Sequence, residues 1–166
     1  VADASREPTV LIGSEASRKA LSEMGPACAI VHIATHGYFR RDNPMFSAVR
    51  LGDSYLSLYD LYHLKLPVGL VTLSACATGS SVVVDGDELL GLVRGLFCAG
   101  ARSLLVTLWD VQDRATAEFM RFFYGRLRDE PDQSLALREA VLALRETNPH
   151  PYYWAPFVWI GKVASP

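Results

Sequence analysis

The chain has 166 residues, 50% of them hydrophobic and 20% charged, with a formal net charge of −2. That supplies one domain with a substantial core and leaves no basic surface for nucleic acid. The apolar runs fall well short of the roughly 20 residues that span a bilayer, and the start, VADASREPTV, has neither the basic head nor the apolar centre of a secretory signal. Residues 9–13, TVLIG, predict a short strand. SEASRKALSEMG then predicts a helix, with Ser14 as its N-cap and Gly25 as its stop. ACAIVHIAT, 27–35, is a continuous apolar run of strand length, the pattern of a strand covered on both faces. MFSAVRLGDSYLSL, 45–58, predicts a hairpin turning at Gly52-Asp53, and LYDLYHL, 58–64, a short helix. VGLVTLSA, 68–75, is a second buried strand.

The second half keeps the same rhythm. GDELLGLVRGLFCAG carries a helical stripe of Leu89, Leu90, Val93, Leu96 and Phe97, ended by Gly100. RSLLVTLW, 102–109, is a third buried strand. DRATAEFMRFFYGRLRD predicts a helix with Thr116, Phe119, Met120, Phe123 and Leu127 on one face. SLALREAVLALRET predicts another, stopped by Asn148-Pro149, and PFVWIG a last strand. Strands alternating with helices predict an α/β fold built on a mostly parallel sheet with helices on both faces. Three cysteines, an odd number with no close pair, argue against a disulfide framework and for a reducing, cytoplasmic setting. The chain opens on Val1, which points to a single domain over 1–166 taken from a longer protein.

In an open parallel sheet, ligands gather at the carboxyl ends of the strands. Two buried strands end in reactive residues: HIATHG, with His36 before Gly37, and SACATG, with Cys76. If these strands are neighbours, their ends lie about 4.8 Å apart. A thiol with a pKa near 8.5 is then activated by a nearby imidazole. The N–H groups of Gly37 and Cys76 are candidate donors to an oxyanion. Cys28 and Cys98 carry the ordinary expectation for cysteine, which is packing in the core.

VHIATHGYF, LVTLSACATG, GDELLGLVRGLFCAGARSLLVTLWDVQD and HPYYWAPFVWIG, in that order, resemble the CHAT domain, a caspase-like family often C-terminal to tetratricopeptide repeats in bacterial proteins. The resemblance runs from about residue 9 to 162. It implies a three-layer α/β/α sandwich and a cysteine endopeptidase of the caspase, separase and gingipain group. It also implies a catalytic dyad of His36 and Cys76, oxyanion donors at Gly37 and Cys76, and a repeat region in the parent chain that recruits or gates. Two departures bear on this. Only ATGSSVVVDG separates Cys76 from the next helix, where caspases carry a cleavable linker. Relatives that cut after Arg or Lys often have an Asp two residues before the cysteine, and this chain has Ser74.

Several other residues have plainer roles beside a functional one. Asp85, Asp87 and Glu88 fit a capping box better than an acidic pocket. Asp113 fits the N-cap of its helix. Trp109 and Asp110 follow the third buried strand on the same edge as the dyad and are candidates for the border of a peptide cleft. His32 and His36 share an HxxxH spacing, but a zinc site of that kind needs a helix and a Glu where Ile33 stands, so no metal is expected. His32 is expected to pack in or beside the sheet, His63 to lie at a helix end and His150 in a turn. Arg40-Arg41 fits a solvated loop, and Tyr152, Tyr153, Trp154 and Trp159 fit core and edge packing. The expected function is a cofactor-independent cysteine endopeptidase acting on a protein or peptide substrate, with no nucleic-acid or membrane partner. The alternatives are a noncatalytic caspase-like interaction module and a small-molecule amidase on a similar sheet.

Overall fold

The computed structural model describes residues 8–38, 43–77, 86–129 and 132–162, and for 44, 75–77 and 86–88 it gives the backbone alone. Among these residues, six strands form one sheet. They are β1 (Ile30–Tyr38), β2 (Ala48–Arg50), β3 (Tyr55–Ser57), β4 (Leu70–Ala77), β5 (Ser103–Thr107) and β6 (Phe157–Gly161), in the spatial order β3-β2-β1-β4-β5-β6. The helices are α1 (Arg18–Met24), α2 (Leu58–His63), α3 (Gly86–Ala99), α4 (Asp113–Asp129), α5 (Gln133–Thr147) and α6 (Pro151–Trp154).

The sheet is mixed. β1, β4 and β5 run parallel at its centre, while β2, β3 and β6 are each antiparallel to the neighbour before them. The expectation of a mostly parallel sheet holds only in the middle, and the connections explain why. The β2–β3 turn at Gly52-Asp53 is too short for a crossover, so the pair is a hairpin. Between β5 and β6 the chain runs out along α4 and back along α5. The two helices lie antiparallel: Arg126 near the end of α4 meets Glu139 on α5 at 2.9 Å, and Thr147 at the end of α5 bonds Glu118 near the start of α4 at 3.1 Å. Out and back returns the chain to the edge where β5 finished, so β6 enters antiparallel.

The apolar runs of β4 and β5 divide residue by residue between two cores, as period two requires. Val71, Leu73, Leu104 and Val106 join Leu61, Leu92, Val93 and Leu96 from α2 and α3. Leu70 and Leu105 join Phe119, Phe123, Ala136, Ala140 and Leu144 from α4 and α5, with Phe157 from β6. Phe119 is fully buried and stacks on Phe157 with ring centroids 3.6 Å apart.

β1 departs from the expectation of cover on both faces. Ile33 and Gly37 are buried, but Ile30, His32, Ala34, His36 and Tyr38 are exposed. The core beneath α4 and α5 draws its strand residues from β4, β5 and β6, so that layer leaves the corresponding face of β1 open. β1 also starts later than expected, because Gly25–Ala27 forms a 3-10 turn.

The N-terminal expectations change most. Residues 9–13 form no strand: Val10 and Ile12 are 70% and 76% exposed, and Gly13 turns at a φ of 58° into a 3-10 turn. The cap of α1 is Ser17, whose Oγ accepts from the Ala20 N–H at 3.1 Å, and not Ser14, which lies inside that turn. This segment docks on the hairpin through the Gly52 N–H to the Ala16 carbonyl at 2.8 Å. The Arg18 guanidinium reaches Asp60 at 2.6 Å. Asp60 closes a capping box with Ser57 at the start of α2. Gly25 stops α1 and Gly100 stops α3, the latter at a φ of 112° that favours glycine. Asp113 lies in the first turn of α4 and is not its cap, since the Thr116 N–H already bonds the Gln112 carbonyl.

Candidate functional site

The parallel pairing of β1 with β4 sets Ala34 against Ser74, His36 against Cys76 and Gly37 against Ala77. Both reactive positions therefore stand at the carboxyl ends of adjacent parallel strands, one strand spacing apart, about 4.8 Å. His36 is exposed on the open face of β1, and Gly37 is buried beside it. The Cys76 side chain lies outside the described residues. Residues 78–85, including Asp85, lie outside them too, as do Arg40 and Arg41 and the side chains of Asp87 and Glu88.

β5 ends at Thr107, on the same edge, and leads directly to Trp109 and Asp110. Both are fastened to α6. The Trp109 indole N–H donates to the Tyr152 carbonyl at 3.0 Å, and the Tyr152 hydroxyl donates to the Asp110 carbonyl at 2.6 Å. The Asp110 carboxylate is thus left at an exposed, backbone-anchored position.

A polar group behind His36 was only half visible in the sequence. HIATH puts His32 and His36 on one strand face, since residues four apart in a strand point the same way. His32 Nε2 lies 3.1 Å from Ser74 Oγ, and its ring lies 5.7 Å from that of Tyr124 on α4. The Tyr124 hydroxyl donates to the buried Thr72 Oγ1 at 2.8 Å. His32 keeps an open edge, yet the loss of water around the rest of its ring lowers its pKa from the usual histidine value. Burial pushes the Tyr124 phenol up to about 12, against a lowering by its bond to Thr72. His32 therefore packs beside the sheet, as expected. Nothing in the sequence marked Tyr124 as its neighbour, because α4 had no assigned place over β4.

The remaining candidates separate cleanly. His63 ends α2 with Nδ1 2.8 Å from the Tyr59 carbonyl, and His150 caps α6. Tyr152 is exposed, while Tyr153, Trp154 and Trp159 are half-buried. Cys28 and Cys98 are both exposed free thiols, against the expectation of core packing. Cys28 sits between a 3-10 turn and β1. Cys98 falls two residues after Leu96 on α3, which turns it away from the core that Leu92, Val93, Leu96 and Ala99 enter. Among the described residues, no helix is long and apolar enough to cross a membrane.

A mixed α/β sheet with a histidine and a cysteine paired at its carboxyl edge defines the structural class. The chain belongs to the CHAT domain family, a caspase-like family, whose profile matches residues 1–162. It is 37% identical over 121 residues to human tetratricopeptide repeat protein 28 and 36% identical over 121 residues to the mouse protein of that name. Each alignment covers 70% of this chain and 5% of the relative, so the chain spans about a twentieth of the length of these curated relatives.

Proposed function

We propose that this domain is a cysteine endopeptidase with the three-layer caspase-like arrangement, using His36 and Cys76 as its dyad. The observation that supports it most is the pairing of His36 with Cys76 across β1 and β4, with the imidazole exposed. In this reading the Cys76 thiolate attacks the scissile carbonyl and forms the C–S bond. The Gly37 and Cys76 N–H groups hold the oxyanion. Imidazolium at His36 protonates the leaving amine, and water, deprotonated by the neutral imidazole, then cleaves the thioester to acid and free thiol. Trp109 and Asp110 border the cleft, held by α6. The chemistry needs neither metal nor cofactor.

The relatives' name supports a repeat region in the parent chain; in this reading that region presents the substrate and gates turnover. The two exposed free thiols fit a reducing, cytoplasmic site of action. The test is digestion of a peptide library by the wild type, Cys76→Ala and His36→Ala. Cleavage by the wild type alone is expected. Equal cleavage by Cys76→Ala overturns the dyad. Labelling of Cys76 by iodoacetamide without peptide turnover favours the interaction module, and turnover of small amides alone favours an amidase.

A further inference from the structure

On the β1–β2–β3 side, the open face around His36 carries a one-sided set of polar groups; the exposed Asp110 stands across β4, past the end of β5. Arg50 ends β2, next in the antiparallel register after the pairs Tyr38–Ala48 and Gly37–Val49, which brings it alongside His36. Its partner across the hairpin is Tyr55. Alternation along the strands puts Tyr38, His36, Arg50 and Tyr55 on one face of the sheet. Val49, Leu56 and Ile33 point the other way, into the core beneath α2 and α3. Tyr38 and Tyr55 are 52% and 57% exposed, and Arg50 is exposed as well. No hydrogen bond or ion pair engages the Arg50 guanidinium among the described residues. The nearest carboxylate in sequence, Asp53, is occupied by the Ser54 hydroxyl at 2.9 Å and the Arg18 N–H at 3.2 Å. Further back on the same face stand Ala34, His32 and Ser74, none of them acidic.

We infer that Arg50 is a specificity-determining residue that seats an acidic side chain of the peptide beside the scissile bond, with the Tyr38 and Tyr55 phenols at its flanks. This rests on the endopeptidase reading of His36 and Cys76. A substrate held with its carbonyl at the His36 edge lays its neighbouring side chains on this open face. There they meet a planar five-donor guanidinium and two phenols, a set that matches a carboxylate and repels lysine or arginine. Small, exposed Ala34 puts no bulky side chain beside His36 on this face.

The experiment uses the full chain and separates binding from turnover. The probes are peptide pools with Glu, Gln or Lys fixed at the residue before the reporter group and the other positions randomised. Binding is measured to Cys76→Ala, and to Cys76→Ala carrying Arg50→Gln or Arg50→Lys. The Glu pool is expected to bind about tenfold tighter than the Gln pool, the scale of one charge-assisted contact. That preference is expected to vanish in Arg50→Gln, to survive in part in Arg50→Lys, and to weaken with added salt. Circular dichroism checks that the exposed Arg50 substitutions leave the fold intact. Equal binding of the Glu and Gln pools, a preference for Lys, or a preference unchanged in Arg50→Gln overturns the inference. Failure of the wild type to cleave any pool, with the Arg50-dependent binding preserved, counts against the endopeptidase reading and leaves acidic-peptide recognition standing.

Discussion

The bond between Tyr124 and Thr72 ties α4 to the middle of β4, and its removal has a calculable cost. Tyr124→Phe deletes one hydroxyl and leaves the ring packed against Phe123, whose centroid lies 5.3 Å away, and against His32. What is lost is the 2.8 Å bond to Thr72 Oγ1, and Thr72 is fully buried. A hydrogen bond of this kind contributes about 0.5–1.5 kcal/mol net, and a buried hydroxyl stripped of its partner costs about 1–3 kcal/mol. We expect a loss of about 1.5 kcal/mol for Tyr124→Phe, which lowers Tm by about 3–6 °C in a chain of this size. Thr72→Val strands a phenol that is only half-buried, so its cost is smaller, about 1 kcal/mol. The double variant removes both partners and is expected to cost less than the two single changes combined, with a coupling of about 1 kcal/mol. Urea unfolding of the four proteins at neutral pH, followed by far-UV circular dichroism, reads all four corners of the cycle. A Tyr124→Phe variant within about 0.3 kcal/mol of wild type, or strictly additive losses, would refute this account of the contact.

Asp60→Asn breaks the capping box with Ser57 and the ion pair with Arg18 and should cost about 1 kcal/mol in urea unfolding at neutral pH. Burial raises the Asp60 pKa, but the Ser57 bonds and the Arg18 charge outweigh it and hold the carboxyl below its usual range. Its stabilisation is therefore present above the unfolded value near pH 3.9 and is lost as pH falls through the lower folded value, so wild type and Asp60→Asn should converge in acid. His32 gives a loss of the same sign in a higher pH window. Its folded pKa lies below the unfolded value of about 6.5, so the unfolded chain takes the proton first and stability declines as pH drops from there toward the folded value. His32→Gln should flatten that part of the pH–stability curve, and an unchanged slope would remove His32 as its source. Phe119→Ala empties the stack on Phe157 and should cost about 3–5 kcal/mol by the same urea measurement.

Where local chemistry decides, the sequence was easy to read. Gly52-Asp53 turns a hairpin because two strands of alternating residues flank it, and Gly100 stops α3 because it takes a left-handed φ. The His36–Cys76 pairing was legible as a possibility, since both residues end buried runs. Adjacency itself is a property of the sheet order. The misreadings of residues 9–13 and of β1 share one cause, which is that cover is decided by distant elements. Residues 9–13 look like a strand, but the sheet offers them no neighbour, and the following Arg18 is held by Asp60 instead. β1 reads as doubly buried because apolar Ile30 and Ala34 sit among its polar residues, yet α4 meets it at Tyr124 beside His32 and leaves Ala34 and His36 exposed. Cys98 looks like core by residue type, and only its angular position on α3 turns it outward. Arg50 carried no signal at all, because its importance depends on which residue β2 sets next to His36.

The order of strands in space has a consequence for how the chain is made. Ile30 must wait for Leu70 before the central pair can zip, Leu70 and its neighbours wait for Ser103 onward, and β5 gains its last partner only when Phe157 to Gly161 have emerged. Assembly dominated by such distant pairings is slow compared with helical bundles. A nascent chain halted before residue 157 would leave the flank of β5 unpaired and able to capture a stray strand, an exposure that ends when the five residues of β6 pair with it.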